Sequence, residues 1–507
     1  MAVLGLDIGT TGVKAAAFDL EGKMLASAQA EYPLIRPRPG YFELDPDAIM
    51  AGVESVIGRV ASSVGAGRIR ALACSALGEA VLPVDARGRP LANTIVALDH
   101  RAEAQAEALR RRIGPEEFFA ITGQSFHPIA TLFKILWWKE EQPELFRRAR
   151  RFLCWNDMLA VLLGMDPAIS PSLAARTGLL DLRSRRWSER ILQLAELSED
   201  RLARIVEAGQ PVGVVPPERA GELGLARGCL LVSGGWDQVC AALGSGAVET
   251  GVVVNSMGST DSLNATYAQI NTSTLMLERH FTCTPAAAPG LYCTNAFSFT
   301  GGNLLDWFRD RLDAEAADQV GEADYYPRLV ARALASRNPA LVLAHFAGSG
   351  TPYMDPEALG AMAGLSLATD KADLAMGILE GVAQEIALNL QALGEAGIPV
   401  WSLVASGGGA RSRELLQLRA DVLDRPLAAL QAEEAGCLAC ALLACSALDP
   451  SVPVGERARR WVRAGPVVEP RPAWARYYRA RREVYVQLYP ALRELNRRLR
   501  SLHPPLD

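Results

Sequence analysis

The sequence predicts an α/β protein built from two similar halves, and three features carry that expectation. An apolar strand runs into a glycine–hydroxyl turn twice, as Val3-Leu-Gly-Leu-Asp-Ile-Gly-Thr-Thr-Gly-Val-Lys14 and again as Val252-Val-Val-Asn-Ser-Met-Gly-Ser-Thr-Asp261. Strand-like runs alternate with helical ones, the pattern of mixed α/β layers. The chain has 507 residues, half of them hydrophobic, enough for large cores and more than one domain.

In chain order, Val3–Ile8 and Ala15–Asp19 read as a hairpin, closed after Asp19 by turn chemistry through Lys23. Asp45–Ser63 has helical periodicity. Leu72–Ser75 and Val81–Asp85 read as strands, the second followed by an Ala86–Pro90 turn. Arg101–Ile113 and Thr131–Glu141 read as helices, and Leu230–Val232 as a strand entering a Ser-Gly-Gly turn. A boundary falls near Glu249-Thr-Gly251, which gives domains of 1–248 and 249–507. The second contains a long helix over about Lys371–Glu395 and the strand Trp401–Ala405. Its Ser406-Gly-Gly-Gly turn opens a helix through about Val422, and from about residue 471 an Arg- and Tyr-rich tail reads as amphipathic helix.

Glycine lets a backbone approach an anion, and neighbouring N–H and hydroxyl groups supply donors, so the two turns suit a polyphosphate held from both sides. Asp7 is a carboxylate in an apolar strand, costly unless a cation compensates. It is a candidate ligand for the Mg²⁺ that accompanies ATP, with capping of its own turn as the alternative. Glycines between the strand ending at Ala405 and the following helix likewise suit a nucleotide edge.

A net charge of −5 with scattered basic residues implies no nucleic-acid surface. No apolar run is long enough to span a membrane, and no signal-like leader is visible, so the chain reads as cytoplasmic. The nine cysteines lack disulfide or zinc spacing. Cys437 and Cys440 sit in a run of small residues that reads as a closely packed helix.

Ordered strings along nearly the whole chain resemble the FGGY carbohydrate kinases, of the xylulose, glycerol and gluconate kinase type. They include Asp7-Ile-Gly-Thr-Thr11, Asp99-His-Arg101, Lys134-Ile-Leu-Trp-Trp138, Gly234-Gly-Trp-Asp-Gln238, Gly258-Ser-Thr260, Gly301-Gly-Asn-Leu-Leu-Asp-Trp307 and Ser406-Gly-Gly-Gly-Ala-Arg411. The resemblance implies two duplicated ribonuclease-H-like domains of the actin and sugar-kinase class, with a cleft between them. It implies transfer of the γ-phosphate of ATP to a hydroxyl of a small sugar or polyol, with ATP and Mg²⁺ as cofactors, and it is compatible with a homodimer. Asp237 falls on the family's catalytic base. Thr10, Thr11, Lys14, Gly258 and Ser259 fall beside the ATP phosphates. Gly302, Asp306, Gly408, Gly409 and Arg413 would line the adenine and ribose pocket.

Substrate binding would rest on Glu79, Asp99, Arg101 and Gln238. Here the sequence departs from the family's better-known patterns. Xylulose kinases usually carry Gln-Met-His-Gly near position 78 and glycerol kinases Asn-Gln-Arg-Glu; this chain has Ala76-Leu-Gly-Glu79, with Ile129 where a substrate-contacting tyrosine would stand. Glycerol is disfavoured, and an acceptor-rich pocket points to a neutral ketose or polyol such as a pentulose. For a sugar acid, Arg101 is the evident cation. Glu79 has two readings, a sugar ligand or a structural carboxylate paired with an arginine. A catalytically degenerate sugar or nucleotide sensor is the alternative function.

Overall fold

The computed structural model of the chain describes residues 1–337, 340–430 and 434–502. The first sheet contains β1 (Ala2–Ile8), β2 (Gly12–Phe18), β3 (Met24–Glu31), β4 (Ile69–Ala76), β5 (Pro211–Val214) and β6 (Leu230–Trp236), in the spatial order β5-β6-β4-β1-β2-β3. β1 and β2 form an antiparallel hairpin extended by β3, while β4 and β6 run parallel to β1 on its other side.

The second sheet contains β7 (Val252–Met257), β8 (Asp261–Tyr267), β9 (Thr284–Pro285), β10 (Tyr292–Ser298), β11 (Ser402–Ser406), β12 (Leu427–Leu430) and β13 (Ala464–Val468), ordered β9-β10-β8-β7-β11-β12-β13. It repeats the first pattern: a hairpin, a third antiparallel strand on one side, two parallel strands on the other and an antiparallel edge. The duplication read from the two glycine turns is therefore a duplication of whole sheets. Both turns lie at the same place in their sheets, where the first hairpin reverses.

Helices cover the sheets because their apolar faces need a partner. Helix Pro46–Val64 is capped by Asp45, whose side chain accepts from the Asp47 N–H, and packs on β2 and β3. Helix Lys371–Glu395 starts with a reciprocal capping box between Asp370 and Asp373 and is buried along much of its 25 residues. Helix Ala435–Leu448, although late in the chain, packs on β1 and β4 of the first sheet and on helix Asp237–Gly244. A Cβ on Gly5 would lie 1.8 Å from the Cys437 carbonyl oxygen, so only glycine admits this approach. Cys437, Cys440 and Cys445 are buried in the core of the first sheet.

One local expectation is corrected. Ser233, Gly234 and Gly235 do not make a turn before Asp237; β6 continues through them to Trp236, with a register irregularity between Val232 and Gly235. A Cβ on Gly234 would lie 1.9 Å from the Cys74 carbonyl oxygen, so this glycine serves close strand approach. The tail forms helix Pro472–Ser501; residues 503–507 of that segment lie outside the described residues. No helix among the described residues is long and apolar enough to cross a membrane.

Candidate active site

β1 ends at Ile8 and its turn carries Thr10 and Thr11; the Gly9 N–H donates to the Gly12 carbonyl and closes it. Asp7 lies opposite Lys14 in the hairpin and beside Ser75 of β4. Burial raises the Asp7 carboxyl above its ordinary range; the Ser75 hydroxyl and Lys14 oppose this and Glu434 adds to it. The Asp7 carboxylate also faces the start of helix Ala435–Leu448, where a Cβ on Gly436 would meet it at 3.0 Å. Lys14 Nζ donates to Glu434 at 3.1 Å, tying the hairpin to the same helix.

β6 delivers Trp236 and then Asp237, the first residue of helix Asp237–Gly244. Ser172 Oγ accepts from the Trp236 N–H at 3.1 Å and fixes that junction. Trp236 is the N-cap of that helix and Asp237 follows it, with its Oδ1 buried without a hydrogen-bond partner. Burial, followed by the Asp7 and Glu79 charges, pushes this carboxyl up to about 7, against the smaller pull of the Gln238 N–H and Arg176. Gln238 Oε1 accepts from Asn264 of β8 at 3.3 Å, so the residue next to Asp237 touches the second sheet. Asp237 therefore lies where the two halves meet.

Glu79 has the left-handed φ of +59°, uncommon for a residue with a side chain. Its carbonyl accepts from the buried Lys134 Nζ at 2.8 Å, and its carboxylate pairs with Arg176. Burial pulls the Lys134 ammonium down to about 8, against the Glu79 and Asp99 charges. The Arg176 guanidinium lies 4.3 Å from the centre of the Trp236 ring, and its Nη1 donates to Gln124 at 2.7 Å. His127 is close to both Arg176 and Lys134, and burial holds its imidazole down at about 4, hence neutral at physiological pH. Its Nδ1 accepts from the Ile129 N–H at 3.2 Å, which leaves the proton on Nε2.

Asp99 and Arg101 are engaged with each other. Arg101 donates to both Asp99 oxygens at 2.8 and 2.7 Å and to Glu43 at 2.7 Å, while the Phe42 N–H takes Asp99 Oδ2. Arg101 is thus neutralised twice over. Gly78 is required where it stands, since a Cβ would lie 2.5 Å from Trp236 Nε1.

On the other side of the junction is a cavity of about 920 Å³ in the second half. Gly258, Ser259, Gly302, Asp306, Gly408 and Gly409 all line it; Arg413 does not, and Arg411 and Ser412 do. Arg413 instead opens helix Arg413–Leu423 and is exposed. Leu305, Val330, Ile378, Leu379, Val382 and Leu415 make the cavity apolar, as an aromatic base needs. Its Gly302 N–H donates to the Gly258 carbonyl at 2.9 Å, joining two glycine turns at one wall. Asp261, at the wall, is buried and paired with Arg419 at 2.6 Å.

A model described as the FGGY family of carbohydrate kinases, N-terminal domain, matches residues 2–244, and its C-terminal counterpart matches residues 253–448. The chain belongs to the FGGY family of carbohydrate kinases. It is similar to the xylulose kinase of Bacillus subtilis, with 27% identity over 502 residues covering 98% of this chain and 99% of that protein. It is also similar to the gluconokinase of the same organism, at 26% identity over 87% and 86% of the two chains. Among solved structures, the xylulose kinase from Rhodospirillum rubrum superposes with a TM-score of 0.88 at 25% identity, covering 98% of this chain and all of that one. This FGGY kinase is accordingly an ATP-dependent carbohydrate kinase with the two-domain fold of the actin-like class.

Arg176 and His127 lie outside the strings quoted above, and Trp236 lies inside one of them, Gly234-Gly-Trp-Asp-Gln238, without being singled out there. Arg176 is an arginine just before Thr177-Gly178, with no further signal in the sequence for its place beside Glu79 and Trp236.

Proposed function

We propose that this FGGY kinase transfers the γ-phosphate of ATP to a hydroxyl of a neutral ketose or polyol of about five carbons, with Asp237 as general base. The observation that carries this reading is the orphaned Oδ1 of Asp237, a buried acceptor at the junction of the halves. A substrate hydroxyl would satisfy it. With its carboxyl near 7, Asp237 is poised to take a proton at physiological pH as the hydroxyl oxygen attacks phosphorus.

In this account the adenosine occupies the apolar cavity, and the phosphates pass Gly258 and Ser259 towards Thr10 and Thr11. Arg411, and not Arg413, is the arginine the cavity geometry favours beside the nucleotide. Glu79 and Gln238 orient the sugar, while Asp99 and Arg101 hold the wall behind it through their mutual pair. Among the described residues no cluster of three or more His, Cys, Asp or Glu side chains could hold a metal alone. Mg²⁺ with ATP is commonly held by one or two carboxylates and the phosphates, and Asp7, a partly buried carboxylate with Glu434 and Asp237 near it, is an oxygen donor of that kind. Bound there, the ion would offset charge on the phosphates.

Neutral substrates are favoured because the cations near Asp237 are already balanced. Arg176 pairs with Glu79 and Arg101 with Asp99 and Glu43. Asp7 and Asp237 add further negative charge. Among the described residues, a carboxylate-bearing sugar would have to compete with Glu79, Asp99 or Glu43 for these arginines. The test is an ATP-consumption screen over ketoses, polyols and sugar acids with the wild type and Asp237→Asn. A neutral pentulose or pentitol is expected to give the highest kcat/KM, with the variant slower by about 10²–10⁴-fold. Preference for a sugar acid would overturn the substrate assignment, and an active variant would overturn the base.

A further inference from the structure

Arg176 is more heavily constrained than an arginine that only neutralises Glu79 needs to be. Its guanidinium lies over the ring of Trp236, the residue immediately before Asp237, at 4.3 Å. Nη1 is fixed by Gln124 and Nη2 by the Glu79 carboxylate. Glu79 is in turn held in its left-handed conformation with its carbonyl on Lys134. A side chain at position 78 is excluded by the same Trp236 ring. Planar stacking plus two directed bonds fixes the orientation of the fork, which a pure charge partner would not require.

Asp237 and Arg176 are among the residues here that keep an unsatisfied buried polar atom. Asp237 Oδ1 is a buried acceptor and Arg176 Nε a buried donor, each without a hydrogen-bond partner. Buried orphans of this kind are costly and are characteristically satisfied by a ligand. An acceptor and a donor fixed to adjoining structure match two hydroxyls of one molecule. One hydroxyl donates to Asp237, and the oxygen of its neighbour accepts from Arg176.

We propose that Arg176 is a specificity-determining residue that, together with Asp237, reads a vicinal diol: the hydroxyl to be phosphorylated and the one on the adjacent carbon. The assignment rests on the kinase reading above and narrows it. Substrates are open-chain or ring sugars and polyols bearing a free hydroxyl next to the reacting one. A sugar lacking that neighbour, or carrying a protonated amine in its place, is a poor substrate because Arg176 then finds no acceptor and stays unpaired.

The test uses steady-state kinetics of the full chain with D-xylulose, D-ribulose, ribitol and D-gluconate. The best substrate is then compared with its analogue lacking the hydroxyl adjacent to the phosphorylated carbon. A hydrogen bond to a charged group corresponds to roughly 10- to 100-fold, so the wild type should prefer the parent sugar by about that factor in kcat/KM. In R176M most of this preference should vanish through a raised KM for the parent sugar, with the ATP KM within about twofold of wild type. R176K keeps a charge against Glu79 and should recover only part of the preference; it is the variant to read if R176M no longer binds ATP. Unchanged preference in R176M and R176K, or equal loss of sugar and ATP affinity, would overturn this role while leaving the kinase reading intact. Failure of the wild type to phosphorylate any of the four would overturn the kinase substrate reading and this assignment together.

Discussion

Replacing Asp237 by Asn tests the electrostatics of the site through stability, without relying on turnover. In the folded protein the Asp237 carboxyl is raised from 3.8 to about 7, first by burial and then by the Asp7 and Glu79 charges. The unfolded chain returns it to the ordinary value. Between these two values the folded state keeps a proton that the unfolded state has lost. Its stabilisation is complete below the unfolded pKa and fades as pH rises through the folded one. The separation corresponds to about 4 kcal/mol over the whole window, of which about 2–3 kcal/mol falls between pH 5 and pH 8. Asn carries no titrating proton, so the variant escapes this loss. Urea unfolding of wild type and D237N at pH 5, 6, 7 and 8 without nucleotide should show the stability of the variant relative to wild type rising by about that amount and levelling off above the folded pKa. A difference that stays constant from pH 5 to pH 8 would refute the argument that Asp237 is a buried acid crowded by Asp7 and Glu79.

Three further outcomes follow from the geometry. Ala383→Phe projects a ring into the cavity and should raise the ATP KM by about tenfold or more with little change in the sugar KM, checked by varying each substrate separately. Gly78→Ala places a methyl 2.5 Å from Trp236 Nε1 and should cost about 1–3 kcal/mol in urea unfolding and raise the sugar KM as the Trp236–Arg176 stack shifts. Asp7→Asn should raise the Mg²⁺ concentration needed for half-maximal activity by about tenfold while folding is preserved, measured by metal titration at saturating ATP and sugar.

Much of the scaffold was legible because its signals are local. Thr131–Glu141 and Lys371–Glu395 have the helical bounds their periodicity and flanking residues predict. The duplicated hairpins announce the duplicated sheets. Gly234 and Gly235 look like a turn in one dimension, whereas in space Gly234 admits the Cys74 backbone of the neighbouring strand and Gly235 the side chains of Cys240 and Ser172. Helix Ala435–Leu448 was read correctly as close-packed from its small residues, but its partner is a sheet some four hundred residues earlier, which periodicity does not encode.

The site divides along the same line. Cavity-lining glycines lie in turns whose chemistry is visible in sequence, and Gly258, Gly302, Gly408 and Gly409 come together as the motifs imply. Pairings over long separations are not visible in this way. Glu79 meets Arg176 from 97 residues away, so the choice between sugar ligand and paired carboxylate could not be made from composition. Asp99 and Arg101, two residues apart, looked like two separate sugar contacts and proved to be bonded to each other. Arg413 and Arg411 differ by less than a turn of backbone, and a 3₁₀ segment at Gly408–Arg411 decides which of them reaches the cavity.

The most direct measurement is a crystal structure of the chain with a non-hydrolysable ATP analogue, Mg²⁺ and the best sugar from the screen. One sugar hydroxyl is expected within hydrogen-bond distance of Asp237 Oδ1 and in line with the γ-phosphorus, with the base of the analogue in the apolar cavity. A sugar bound away from Asp237, or a nucleotide whose γ-phosphate points away from the junction of the two halves, would contradict the account.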